Sequence, residues 1–415
     1  MRSDGVRILL QARILAMAAT IAFLLVWLSP DARGEISAST VDEDLQGNPY
    51  AAGELLVTYE PGASEQAVDE IVEGAKARVD EELGALDTQL LSFPEVKHAR
   101  SENAREEKLQ RAKKSLQKAP GVKHVDYNYL RLPAYEANDT RFVGGDQWNL
   151  YDIHAPAAWD QTLGKGARVA VVDTGIALPH PDLGNKVVAQ KDVVDNDNRA
   201  EDDTRGHGTH VAGTIGAVTD NNKGVAAVCP ACRLLVARSG DFRGLFDDDV
   251  VQSIYWSVQN NASAINLSLG SSRPSWSLEH SVNYAWQHDV VVVAAAGNGN
   301  TSEPQYPAAY KNVISVAATD ESHKRAPFSN FGKIDVAAPG VDILSTVPGG
   351  GYRFKQGTSM ASPHVAALAG MLASQGRSAP EIRRRIERSA TDIGPEGKDK
   401  YFGWGLIAAN RAVKR

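Results

Sequence analysis

Five short runs of apolar, mostly β-branched residues dominate the later two-thirds of the chain. They are Arg168-Val-Ala-Val-Val172, Leu234-Leu-Val-Ala-Arg238, Ala264-Ile-Asn-Leu-Ser268, Val290-Val-Val-Val-Ala294 and Val313-Ile-Ser-Val-Ala317. Each is too short for a stable helix and too continuously apolar to leave one face in water. Helical patterns separate them at His210 to Ala217, Asp247 to Asn260 and Ser277 to His288. Apolar strands alternating with helices predict a parallel sheet covered on both faces, an α/β architecture of three layers. In such sheets ligands bind beyond the carboxyl ends of the strands. That rule places Asp173, Ser268 and Gly297 at the edge where chemistry is expected.

The full chain of 415 residues has room for more than this one unit. Hydrophobic residues make up 43% and charged residues 23%, as in a soluble globular protein. The net charge of −7, with no long basic stripe, argues against a nucleic-acid partner. Residues 1–34 carry Arg2, Arg7 and Arg13 ahead of an apolar run of 15 residues, Ile14 to Leu28. This is the pattern of an export signal, and the run is shorter than the roughly 20 residues of a spanning helix. The chain is therefore expected to be exported, secreted or periplasmic; a membrane anchor is the alternative if the segment stays uncleaved. Residues 53–132 read as a small α+β unit. A strand at Leu55 to Tyr59, a helix capped by Ser64, a charged helix from Ser101 to Lys118, and a strand from Val122 to Leu132 fall in it. It holds no cluster of reactive side chains.

Reactive side chains concentrate instead in residues 138–415. Val171-Val-Asp-Thr-Gly-Ile176, Gly206-His-Gly-Thr-His-Val-Ala-Gly213 and Gly357-Thr-Ser-Met-Ala-Ser-Pro-His364 each set such a side chain beside glycine. Ser359 opens an apolar helix, where unpaired backbone N–H groups favour a developing anion. The His207 imidazole can accept a serine proton near neutral pH. Asp173 ends a buried strand, where a carboxylate can fix the imidazole tautomer. Taken singly, Ser359 also reads as a helix cap, and Asp173 as a turn aspartate or half of an aspartic-protease pair. His207 and His210 also read as a metal pair, but the glutamate of an H-E-x-x-H site is missing. The joint occurrence of the three motifs favours one nucleophilic site.

In the order Asp, His, Ser, these motifs resemble those of the subtilisin family of serine proteases, and the handed-down order is that family's. The likeness spans residues 138–415. Gly297-Asn-Gly-Asn-Thr301, Tyr306-Pro-Ala-Ala-Tyr310 and Leu372-Ala-Ser-Gln-Gly-Arg-Ser378 make it most similar to thermitase-like members. The resemblance implies a subtilisin-like fold preceded by a ferredoxin-like inhibitory prosegment over 53–132. It implies a serine endopeptidase working on extended protein or peptide segments, self-processed from a proenzyme, and monomeric when mature. Asp173, His207 and Ser359 match the catalytic triad and Asn298 the oxyanion asparagine. Ser268, Leu269, Gly270, Ala295, Ala296 and Gly297 match the walls of the specificity pocket, with Gln305 at its floor; Asn266 and His364 match supporting positions.

Structural Ca²⁺ is also implied. The matching ligands are the Asp139, Asp182 and Asn221 side chains with the Val218, Lys223 and Val225 carbonyls. A second calcium site is suggested at Asp195 and Asp197, inside an acidic stretch that reads equally well as a solvated loop. The two cysteines, Cys229 and Cys232, form a C-x-x-C pair open to redox, zinc or disulfide readings. The lack of a second pair and the export signal favour a local disulfide.

Overall fold

The computed structural model describes residues 41–43, 49–99, 101–129, 135–203 and 205–414. The expected export signal over 1–34 lies outside these. Among the described residues no helix is long and apolar enough to cross a membrane. The chain divides into two compact units, one up to Pro133 and one from Ala134 to Lys414.

The N-terminal unit is an antiparallel sheet of five strands with two long helices. Strand Pro49–Tyr59 is its axis, pairing with Val41–Glu43, Thr88–Ser92 and Val122–Tyr129. Alternate residues of that strand, Leu55, Val57 and Tyr59, point into a core shared with Leu91, Val125 and Leu109. The helix Glu65–Gly74 starts where the Ser64 hydroxyl accepts from the Ala67 N–H, and Glu102–Leu116 where Ser101 accepts from Ala104. Between these helices the sequence analysis named no strand. The structure has a hairpin there, Arg78–Leu83 paired with Thr88–Ser92. Its first strand, Arg-Val-Asp-Glu-Glu-Leu, is mostly exposed and charged, so it carries little apolar signal.

The C-terminal unit is built on seven parallel strands. Their order across the sheet is Val336–Pro339, Val313–Thr319, Val291–Ala295, Ala264–Leu267, Arg168–Asp173, Arg233–Arg238 and Val187–Asp192. The period of two divides the strand residues between two cores. Val169, Val171, Leu234, Val236, Val291 and Val293 face the layer containing the helices His207–Gly216 and Thr358–Ser374. Ala170, Val172, Leu235, Ala237, Ile265 and Val292 face the layer containing Asp247–Gln259 and Trp276–Gln287. Each fully buried Val, Leu or Ile contributes about 1.5–3 kcal/mol. This is the mainly parallel three-layer fold expected from the pattern.

The two edge strands, Val187–Asp192 and Val336–Pro339, were not legible as strands. The first is Val-Val-Ala-Gln-Lys-Asp, half polar because its outer side is exposed; the second has four residues and ends in proline. Cys229 and Cys232 form a buried disulfide. It lies against Gly164 and Gly370, where an added Cβ would come within 2.1 Å of Cys229 Sγ and 2.9 Å of Cys232 Sγ.

Candidate active site

Asp173 is the last residue of the central strand Arg168–Asp173 and is almost wholly buried. Its Oδ1 takes the Thr174 N–H at 2.8 Å and stands 2.7 Å from His207 Nδ1. With Nδ1–H donating to a carboxylate, Nε2 is left unprotonated and able to accept a proton. His207 is the first residue of its helix, entered through Gly206 at φ +60, where a Cβ would sit 2.0 Å from Pro348 Cδ. A second carboxylate fastens strand end to helix start. Asp202 accepts from the Thr174 hydroxyl at 2.5 Å, from the Thr209 N–H at 2.7 Å, and from the Thr209 hydroxyl. Lys355 Nζ donates to the Arg205 and Gly206 carbonyls at 2.7 and 3.0 Å.

Burial of His207 favours the neutral ring, but Asp173, by its charge and hydrogen bond, outweighs that and holds the imidazole above its ordinary pKa. His210 behaves oppositely. Buried, with Nε2 facing the Ile343 and Arg353 carbonyls, it is pushed down to about 3. It is a neutral support of the helix, and the metal-pair reading with His207 has no geometry behind it.

Ser359 lies in the first turn of the helix Thr358–Ser374, entered through Gly357 at φ +148. Its hydroxyl donates to the Ser268 carbonyl at 3.2 Å and is thus parked on the neighbouring strand end, not on His207. A rotation about its Cα–Cβ bond redirects it, and such bonds commonly form only with substrate bound. Asn298 is held from this helix. The Thr358 N–H and hydroxyl both donate to its Oδ1, at 2.9 and 3.0 Å, which identifies the other carboxamide atom as the outward NH₂. The Ser268 hydroxyl donates to the Ser359 carbonyl at 2.9 Å, and Asn266 donates to the same hydroxyl. His364 is buried beneath, pushed down to about 4 by burial, and bonded to Met360 O and Asn149.

Ala295, Ala296 and Gly297 leave the strand Val291–Ala295, beside Ser268, Leu269 and Gly270 from the neighbouring strand. Gly270 is exposed, and Ser271 bridges antiparallel to Tyr306. Gln305 and Ala296 line a narrow hollow with Ala308, Ser315 and Lys333. Asn330, unmarked in the sequence, shapes this wall. It donates to Ala296 O at 3.0 Å and accepts from the Gly299 and Thr301 N–H groups at 2.8 and 3.1 Å.

The comparisons with known proteins decide the lineage. Residues 164–405 match the subtilase family, and residues 37–128 match the fervidolysin N-terminal prodomain. The chain belongs to the subtilase family. It is 40% identical over 375 residues to the thermophilic serine proteinase of Bacillus sp. (strain AK1), covering 88% of this chain and 92% of that one. It is 45% identical over 282 residues to thermitase of Thermoactinomyces vulgaris, covering 68% of this chain and 100% of that one. Among solved structures, a protease from Pseudoalteromonas arctica PAMC 21717 superposes with a TM-score of 0.63 at 31% identity, covering 67% of this chain and 99% of that one. This subtilase is a serine protease with an N-terminal prodomain.

Among the subtilase's described residues no three His, Cys, Asp or Glu side chains converge as a metal centre. Oxygen donors do gather around Asp139 and Asp182, both fully buried. Asp139 Oδ1 has no hydrogen-bond partner, while Oδ2 takes the Asp220 N–H at 2.8 Å. Burial, with Asp182 adding to it, pushes the Asp139 carboxyl up to about 6 despite the backbone N–H groups that oppose it. The Val218, Lys223 and Val225 carbonyls accept no hydrogen bond among the described residues. An orphaned buried carboxylate oxygen, with a loop of unpaired carbonyls bonded to the same two aspartates, suits a hard cation. Asn221 turns its NH₂ to Asp182 at 2.8 Å and its oxygen to the Lys223 N–H at 2.8 Å, so it would ligate only with its carboxamide reversed.

The acidic stretch before His207 is arranged differently. Arg238 Nη1 lies 2.5 Å from Asp192 Oδ2 and 2.7 Å from Asp195 Oδ2, and Asp197 Oδ1 accepts the Arg199 N–H. Here the Arg238 guanidinium supplies positive charge to Asp192 and Asp195, and a backbone N–H engages Asp197.

Proposed function

We propose that this subtilase is an exported endopeptidase that cleaves extended or locally unfolded protein segments through an acyl-enzyme, after releasing its own prodomain. The observation carrying this reading is the juxtaposition at one sheet edge: the Asp173–His207 bond, and a Ser359 hydroxyl beside an asparagine whose NH₂ is turned outward.

A peptide strand lies against the backbone of Ser268–Gly270 and Ala295–Gly297 as an added strand, with a side chain toward Gln305. The Ser359 hydroxyl leaves the Ser268 carbonyl and gives its proton to His207 Nε2 as Oγ bonds to the scissile carbon. Negative charge gathers on the carbonyl oxygen, where Asn298 Nδ2 and the Ser359 N–H donate to it. Asp173 stabilises the imidazolium. When the C–N bond breaks, His207 returns the proton to the leaving amine. Water then enters, loses a proton to His207, and frees the acyl group by the reverse sequence. Asp139 and Asp182, with the Val218, Lys223 and Val225 carbonyls, would hold a structural Ca²⁺, which would supply positive charge to offset the two buried carboxylates.

The prodomain match supports synthesis as a proenzyme whose first folded unit acts as folding template and inhibitor. The test is casein digestion by the purified chain beside Ser359→Ala, with N-terminal sequencing of both. The proposal expects activity and a new N-terminus between residues 132 and 138 in the parent alone. Equal digestion by the variant would reject the assignment of Ser359.

A further inference from the structure

Arg384 and Arg388 are exposed on the face of the helix Ala379–Ser389 opposite the buried Ile382 and Ile386, and Arg385 flanks them half-buried. With Glu381, Ser389 and Arg411 they line an open depression of about 520 Å³. Arg411 reaches it from a separate helix, Ala409–Ala412, and is steadied by donating to Thr391 Oγ1 at 2.6 Å. Other cations nearby are already matched: Arg377 with Glu381 at 2.8 Å, and Arg383 with Glu387 at 2.8 Å and Asp335 at 3.1 Å. Arg384, Arg385 and Arg388 have no carboxylate partner among the described residues. The one carboxylate lining the depression, Glu381, is the one that Arg377 engages.

Four guanidinium groups thus converge on one hollow of a chain whose net charge is −7. Like charges lining one hollow repel, and the Arg385 guanidinium is held below its ordinary pKa by partial burial and by Arg377, with Glu381 opposing them. An anion relieves both. Guanidinium forks match phosphate oxygens two at a time, and the hollow is of the size that takes a multi-atom ligand rather than a lone ion. Its lining has no Trp, Phe or Leu to enter a lipid surface and no aromatic ring to stack a base.

We propose that this depression is a binding site for a soluble chain of linked phosphates. The site shares no residue with the proposed catalytic groups and does not depend on that reading.

The test is calorimetric titration of sodium tripolyphosphate, at low ionic strength, into the full chain carrying Ser359→Ala to prevent self-digestion. The same background carrying Arg384→Gln with Arg388→Gln is compared, together with one carrying Arg273→Gln, an exposed arginine elsewhere. Saturable binding is expected in the parent and in Arg273→Gln, weakened at least about tenfold in the double variant and by added salt. Calcium sequestration by the probe is common to all three proteins and cannot produce that difference. Equal affinity in parent and double variant, or no saturable binding, would overturn the proposal. So would binding to phosphatidylglycerol vesicles without binding to tripolyphosphate, which would move the site to a membrane surface.

Discussion

The Thr358 N–H and hydroxyl both donate to Asn298 Oδ1, at 2.9 and 3.0 Å. The same hydroxyl accepts from the Gly297 N–H at 3.1 Å. The residue before the proposed nucleophile therefore decides which way the asparagine amide points, and couples it to the pocket wall. The donor is oriented before any substrate arrives, so little reorganisation accompanies charge development.

Asn298→Ala should lower kcat by about 10²–10³ with KM little changed, a magnitude measured on a subtilisin and borrowed here. Asn298→Asp should lose a comparable amount, since a carboxylate has no proton to donate. Steady-state kinetics on a chromogenic peptide would check both. A large rise in KM at constant kcat would instead assign Asn298 to ground-state binding.

The acid limb of kcat/KM should lie above the ordinary imidazole value of 6.5. The reactive form is the neutral ring, so activity falls as pH drops through the raised His207 pKa. Asp173 and Asp202 push that pKa up; burial and the Lys355 cation push it down, and the upward influences prevail. Asp173→Asn should cut kcat by about 10⁴, because the favoured tautomer is lost along with the charge. A limb below pH 6 in the parent would show that burial dominates.

Chelation should lower the melting temperature of the Ser359→Ala chain, and calcium should restore it. Saturating calcium at about 100 times its Kd adds about 2.7 kcal/mol. Asp139→Asn should remove most of this calcium-dependent shift. Asp197→Asn should leave it intact, because Asp197 Oδ1 is taken by the Arg199 N–H and its neighbours Asp192 and Asp195 are paired with Arg238. Differential scanning calorimetry with and without chelator would distinguish the two variants.

Gly297→Ala should destabilise the fold by about 1–3 kcal/mol and impair cleavage. Gly297 sits at φ +103, and an added Cβ would stand 2.4 Å from Asn330 Nδ2. Gly299→Ala, whose nearest would-be contact is 3.4 Å, should cost much less. Paired thermal melts would check the contrast.

Much of this architecture is written in local pattern. Runs such as Val291–Ala295 are apolar on every residue because both faces are covered, and that continuity, alternating with helical patterns, implies a parallel sheet. Glycines flanking Asp173, His207 and Ser359 mark tight turns at strand ends and helix starts, and with the family resemblance they single out these three as the side chains proposed to react. Where a strand lies at an edge, as at Val187–Asp192, one side meets water and the apolar run breaks up. The same holds for the charged hairpin strand Arg78–Leu83.

By itself the sequence determined most of the buried strands and helices and singled out the side chains proposed to react, because burial and turn chemistry act on neighbouring residues. Only the tertiary structure decided who meets whom: Thr358 with Asn298, Asp202 with Thr174 and Thr209, Arg238 with the acidic stretch, Asn330 with the pocket wall. Hydrogen bonds and ion pairs depend on separations of a few tenths of an ångström. Those separations are set by how helices seat on the sheet, through packing among residues far apart in the chain.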